Sequence, residues 1–181
     1  MIKTIKYLVI TSLKALRVAN RRYKYYRKIE RTLPSGCDVD NLDNMTIGVN
    51  FSMGYDCKLY AHDMGSSISI GDRVSLNDNV MINADNVGKI EIGDGTMIAS
   101  NTVLRASNHV FSSKDAFFRD QGHSSGVIQI GKNVWIGSNV VILPNVSIGD
   151  NVVIGAGSVV SKDIPNNVVA LGIPAKIIRK I

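Results

Sequence analysis

Apolar residues along most of this 181-residue chain recur every six positions, a period that neither an α-helix nor an alternating strand can sustain. Ile130, Ile136, Ile142, Ile148, Ile154 and Val160 keep that spacing without a break. Two residues before each stand Ile128, Val134, Val140, Val146, Val152 and Ser158. The same register holds upstream in three blocks: Ile47, Met53 and Leu59; Ile70, Leu76 and Ile82; Ile92, Ile98 and Leu104. Gly48, Gly54, Gly71, Gly93, Gly131, Gly137, Gly149 and Gly155 directly follow repeat positions, and Asn79, Asn101, Asn133, Asn139, Asn145 and Asn151 stand three after one. Both residue types tolerate positive φ, so both sets are expected at left-handed corners. Each hexapeptide then reads as one short strand and one corner, and three of them return the chain to its starting azimuth. Coils stacked at ~4.8 Å pair each strand with the same face of the next coil and stack the aliphatics into a solid core.

Residues 2–33 follow a different pattern. Ile2, Ile5, Val9, Leu13, Leu16, Tyr23, Tyr26 and Leu33 are spaced by roughly three and four, which predicts a helix of ~30 residues and ~45 Å, stopped by Pro34-Ser35-Gly36. Residues 1–31 carry ten Lys or Arg and one acid, a net +9, while the other 150 residues carry −3. The overall +6 is therefore a basic appendage on a mildly acidic body, which argues against nucleic-acid binding as the meaning of the charge. Two uses stay open for such a helix: to lie on an anionic membrane surface, or to cover the open end of a β-stack and help it oligomerise.

Composition agrees with a folded body. Apolar residues make up 45% of the chain, and 16 glycines against 4 prolines suit many short strands joined by tight turns. Cys37 and Cys57 are too few for a disulfide scaffold or a metal site, and a reducing cytoplasm is the simplest compartment. The apolar run Tyr7-Leu8-Val9-Ile10 is followed at once by Lys14 and Arg17, with no small-residue cleavage site, and no stretch approaches the ~20 apolar residues of a spanning helix.

A regular stack is a scaffold, so chemistry is sought where the register breaks. Residues 60–67 and 84–89 are short interruptions, and 106–126 is an excursion holding two of the three histidines, His109 and His123. Imidazole has the right proton affinity to take a hydroxyl proton near neutral pH, which makes His109 the candidate general base. His123 is either an acceptor contact or an exposed loop histidine. His62, in the first interruption, is read as structural or surface. A zinc site is not expected, because His109 and His123 are 14 apart in the chain.

The block Ile130-Gly131-Lys132-Asn133-Val134-Trp135-Ile136-Gly137-Ser138 through Gly155-Ala156-Gly157-Ser158-Val159-Val160, with the ending Lys162-Asp163-Ile164-Pro165 and Gly172-Ile173-Pro174-Ala175-Lys176, resembles the hexapeptide-repeat acyltransferases over about residues 45–181. The resemblance implies a left-handed parallel β-helix, an exception to the usual crossover hand. The expected architecture is all-β, with a basic helix over 1–36, the β-helix over 37–162 and a C-terminal segment over 163–181. It further implies acetyl-CoA as co-substrate and a homotrimer with active sites between subunits.

Individual residues carry over by position. His109 stands 17 after an Ile-Gly repeat position, as the catalytic histidine does in sugar and xenobiotic acetyltransferases of this family. Asn77, seven after Ile70, matches an asparagine that meets the acceptor across the subunit boundary, and can equally be a turn residue. Trp135 matches a tryptophan beside the pantetheine arm, with an outward ring in a trimer groove as the alternative. Ser138 matches a backbone N–H donor to the thioester oxygen. Ala156, Gly157 and Ser158 are small enough to let pantetheine lie against the coil, while Lys162, Lys176 and Arg179 are candidate cations for the nucleotide phosphates. Asp120-Gln121-Gly122 resembles the loop end of polysaccharide acetyltransferases, which places Gln121 and His123 with the acceptor.

The activity this implies is O-acetylation of a sugar hydroxyl, on a surface polysaccharide or its lipid-linked precursor or on a soluble glycoside, in the cytoplasm or at the inner membrane face. The rivals are a different acceptor (an amino sugar, serine or an antibiotic) and a non-catalytic β-helix that serves in assembly.

Overall fold

A computed structural model describes residues 32–181 and, of the segment before them, residues 10, 12, 13, 15–17, 19–21, 24 and 25. Contacts divide the chain into two units, Met1–Leu33 and Pro34–Ile181. In the first unit residues 10, 12, 13, 15–17, 19–21, 24 and 25 are all helical; the rest of the predicted helix lies outside the described residues. Ile10, Leu13 and Leu16 present exposed apolar side chains there. Among the described residues no helix is long and apolar enough to cross a membrane.

The second unit is a left-handed β-helix of about six turns, built from three flat walls. The first wall stacks Asp38–Asp40, Lys58–Tyr60, Met81–Asn83, Val103–Arg105, Val141–Ile142 and Val159–Val160. The second stacks Met45–Ile47, Ser67–Ile70, Lys89–Ile92, Val127–Ile130 and Val146–Ile148. The third stacks Ser52–Met53, Ser75–Leu76, Met97–Ile98, Trp135–Ile136, Val153–Ile154 and Val168–Gly172, and Ala175–Lys180 closes it as an antiparallel edge strand. Past the last strand of the first wall, Ile164 still bridges to Ile148, and Val169 and Ala170 pair with Val153 and Ile154 of the coil below.

The repeat aliphatics fill the interior. Leu59, Ile82, Leu104, Ile136, Ile142, Ile154 and Val160 are completely inaccessible. Each lies above its counterpart one coil away, as in the rows Leu59↔Ile82↔Leu104↔Ile142↔Val160.

The asparagines behave as expected and the glycines do not. Asn79, Asn101, Asn133, Asn139, Asn145 and Asn151 all sit at positive φ between 54° and 62°. Two stacks also bond across coils: Asn133 Nδ2 donates to Asn151 Oδ1 at 2.8 Å and Asn151 Nδ2 to Asn167 Oδ1 at 3.1 Å in one, and Asn79 Nδ2 donates to Asn101 Oδ1 at 2.9 Å in the other. None of the eight repeat glycines has positive φ. They are glycine for lack of room: a Cβ on Gly93 would lie 2.6 Å from the carbonyl carbon of Gly131, and one on Gly137 would lie 2.6 Å from the backbone nitrogen of Ala156.

The three interruptions share one corner. Residues 61–66, 84–88 and 106–126 all leave the first wall and return to the second, one coil above another. Ala61, Ala84 and Ala106 mark the departure and are wholly buried.

Candidate functional site

The excursion is an antiparallel hairpin at its base. Ser107–His109 pairs with His123–Ser125, and His109 stands directly opposite His123. The ring centroids are 4.1 Å apart and tilted by 38°. A separation of 14 residues in sequence thus does not keep the imidazoles apart. Among the described residues no group of three or more His, Cys, Asp or Glu stands together to hold a metal.

Two backbone bonds close the hairpin: Val110 N–H to the Gly122 carbonyl at 3.0 Å, and Gly126 N–H to the Ala106 carbonyl at 2.7 Å. Beyond it, Gln121 ties the loop together. Its Oε1 accepts from Ser113 N–H at 3.0 Å, and its Nε2 donates to the carbonyls of Ser113 and Ala116 at 2.8 and 3.0 Å. Within one chain this amide is engaged in loop structure.

Phe111, Phe117 and Phe118 are 73%, 77% and 63% exposed and line one hollow together, an apolar cluster of the kind that marks a contact surface. His109, Phe111, Phe118 and Arg119 line an open hollow of about 410 Å³. Its wall is mostly apolar, with imidazole as the group able to move a proton.

The residues expected to meet coenzyme A stand elsewhere. Trp135 projects outward from the third wall, 53% exposed, with Met97 and Val153 as its lateral neighbours. That row continues Trp135↔Val153↔Val169↔Arg179 to the edge strand. Lys176 lies on the same edge strand opposite Leu171, and Lys162 is exposed just beyond the last strand of the first wall.

Ser138 and Ala156 occupy the next corner, between the third and first walls, where the Ser138 carbonyl accepts from Gly157 N–H at 2.8 Å. Gly157 is exposed at φ 71°, a conformation that suits glycine. Ser158 is fully buried instead, its Oγ donating to the Gly155 carbonyl at 2.6 Å and accepting from Gly172 N–H at 3.0 Å. Its side chain ties this corner to the start of the C-terminal hairpin.

Asn77 is exposed at the same third-to-first corner, two coils from Ser138. Its carbonyl accepts from Cys57 Sγ at 3.0 Å. Burial, with Cys37 close by, pushes the Cys57 thiol up to about 11. One chain therefore brings His109 and His123 together, and brings Trp135 into line with Arg179, but the width of the first wall separates the two groups.

Sequence reasoning missed the environment of His62. Its Nε2 lies 2.6 Å from Asp40 Oδ2 and its Nδ1 2.8 Å from Asp85 Oδ1, so the ring bridges three successive coils. Burial acts against its charge, but the two carboxylates outweigh that and raise its proton affinity above the usual histidine value. The readable signal was that Asp40, His62 and Asp85 each lie at or just past the end of a first-wall strand.

Residues 128–162 match the family model for the bacterial transferase hexapeptide (six repeats). The galactoside O-acetyltransferase of Escherichia coli K12 is 49% identical over 118 residues, which cover 65% of this chain and 56% of that protein. WbbJ of the same organism, provisionally named a lipopolysaccharide biosynthesis O-acetyl transferase, is 36% identical over 86% of this chain and 81% of its own length. A solved structure of a galactoside acetyltransferase in complex with coenzyme A superposes with a TM-score of 0.54 at 37% identity, covering 82% of this chain and 64% of that one. The chain belongs to the hexapeptide-repeat acetyltransferase family. It spans little more than half the length of the galactoside enzyme it matches.

Proposed function

We propose that this protein transfers acetyl from acetyl-CoA to a sugar hydroxyl, by direct attack with His109 as general base, at sites formed between copies of the chain. The observation that carries this reading is the placement of His109. It sits at the root of an aromatic hairpin, beside an open hollow, at the one corner where the coil leaves its register.

The surface chemistry of the walls supports a shared site. One outward row of the second wall is polar throughout, Thr46, Ser69, Glu91, Gln129 and Ser147, and the row beside it carries Ser67 and Lys89 with Val127 as its one apolar member. Outward rows of the other two are apolar over the later coils, with Met81, Val103, Val141 and Val159 on the first and Met97, Trp135, Val153 and Val169 on the third. Two sticky walls and one wet wall suit a closed ring in which each copy buries its first and third walls against neighbours. A trimer of that kind sets the hairpin of one copy against the Trp135 row of the next.

In such a site the acceptor O–H attacks the thioester carbonyl carbon while His109 takes its proton. The oxyanion is held by the backbone N–H of Ser138, a corner group that donates to no carbonyl among the described residues. Collapse breaks the C–S bond, and the imidazolium returns the proton to the departing thiolate. Trp135 covers the pantetheine arm, Ala156 and Gly157 leave it room, and Arg179, Lys176 and Lys162 meet the phosphates. Asn77 and His123 orient the acceptor, and Gln121 holds the loop that frames it.

The likeness to WbbJ along most of both chains, together with the basic segment 1–31, favours a saccharide acceptor carried at the cytoplasmic face of a membrane, with residues 1–33 as peripheral contact. The test is thiol release from acetyl-CoA with lipid-linked saccharides, free glycosides, amino sugars and serine. Turnover on hydroxyl sugars supports the reading, and turnover confined to amines overturns it.

A further inference from the structure

The polar network around His62 does not end at Asp85. Residues 84–88, one coil above His62, form a turn in which Asn86 and Val87 take φ of 61° and 65° in succession. Asparagine visits that region readily, but a β-branched residue does so only when its surroundings enforce it. The surroundings here come from the turn below: His62 Nδ1 and the His62 backbone N–H both reach Asp85 Oδ1, at 2.8 and 2.9 Å. An Asp63 carboxylate oxygen accepts from Asn86 N–H, and Ser66 Oγ accepts from Val87 N–H at 3.1 Å.

The strained turn in turn supports the hairpin above it. Asn86 Nδ2 donates to Ser107 Oγ at 3.3 Å, and Ser125 Oγ donates to the Asn86 carbonyl. Ser107 and Ser125 are a directly opposed pair, two residues from the His109 and His123 pair on the same strands.

Resting on the reading of His109 as the base, we propose that His62 is a positioning residue: through Asp85 it holds the 84–88 turn in its left-handed conformation, and that turn sets the hairpin from which His109 acts. Both ring nitrogens of His62 are engaged by carboxylates, so the ring itself accepts no substrate proton. Among the described residues, the groups facing it are Asp40 and Asp85, with the Tyr60 ring 5.3 Å away and Asp63 next in the chain, turned toward Asn86.

The experiment compares wild type, His62→Gln, Val87→Gly and the double variant by two readouts, hydrogen exchange and acetyl transfer across pH. His62→Gln should speed exchange at the hairpin amides of Val110 and Gly126 while leaving Val141 in the regular stack unchanged. It should lower kcat about 10- to 100-fold at an unchanged KM for acetyl-CoA, as a misplaced base does. The wild-type rate should fall again on the alkaline side as His62 loses its proton, and that limb should be missing from His62→Gln. Val87→Gly, which takes positive φ without strain, should restore exchange protection and much of the rate in the His62→Gln background.

Unchanged exchange at Val110 and Gly126 in His62→Gln would overturn the proposal whatever the enzyme does, as would an alkaline limb that survives the substitution. If His62→Gln does not fold, Val87→Gly alone decides the matter: a flattened alkaline limb supports the clamp and an unaltered one refutes it. Failure of the base reading is distinct, since it shows as full activity in His109→Ala while the exchange response to His62→Gln persists.

Discussion

Trp135 and Arg179 share one lateral row of the third wall, the indole on the fourth coil and the guanidinium on the edge strand three strand spacings away. At ~4.8 Å per strand the row is about 14 Å long, suited to an extended molecule with a neutral arm and a phosphorylated end. Trp135→Ala is expected to weaken coenzyme A binding about 10-fold through lost apolar contact. Arg179→Ala is expected to weaken it by a similar or larger factor that shrinks in high salt. Calorimetry with coenzyme A at two ionic strengths checks both.

His109 and Asn77 stand at different corners of the same prism, so a site that uses both must draw them from two copies. His109→Ala and Asn77→Ala are each expected to be nearly inactive alone. Co-expressed at equal levels, they should regain activity at about a quarter of the sites, those pairing an intact histidine with an intact asparagine. Activity of the mixture compared with the sum of the parents measures this.

The corners make a stability prediction that separates the two turn residues. Gly93→Ala forces a Cβ against the Gly131 peptide and should cost about 1–3 kcal/mol. Asn133→Ala gives up an amide bond to Asn151 and leaves a left-handed φ of 54° without a residue that tolerates it, a cost of about 1–2 kcal/mol. Asn133→Gly should cost little. Denaturant midpoints of the three variants give the order.

His62 supplies a pH dependence of stability. Its proton affinity is raised in the folded chain by Asp85 and Asp40 against the opposing effect of burial. Its contribution is therefore fully present below the unfolded value of about 6.5 and is lost as pH rises through the higher folded value. Thermal midpoints of wild type should decline relative to His62→Gln across that window, and parallel curves would count against the clamp.

Much of the fold was legible because the constraint is local and repeated. Ile130 through Val160 announce the coil, and Asn133 through Asn151 announce its corners, since each must solve the same steric problem at every turn. The glycines mark the corners as well, but through crowding and not through positive φ. What excludes a side chain at Gly93 is the Gly131 peptide, far away in sequence, and no residue's own preference reveals that. His109 could be singled out because it breaks the repeat. Its apposition to His123 could not, because hairpin register inside an irregular loop leaves no periodic trace. His62 looked like a surface histidine because its two carboxylates lie 22 and 23 residues away and meet it only once the coils stack.

The most direct test of the whole account is acetyl-CoA turnover on a sugar acceptor by wild type and His109→Ala, with coenzyme A binding measured on the same samples. The account predicts a rate lower by about 10²–10⁴ in the variant with coenzyme A affinity and oligomeric state unchanged. Turnover at the wild-type rate without His109 would contradict it.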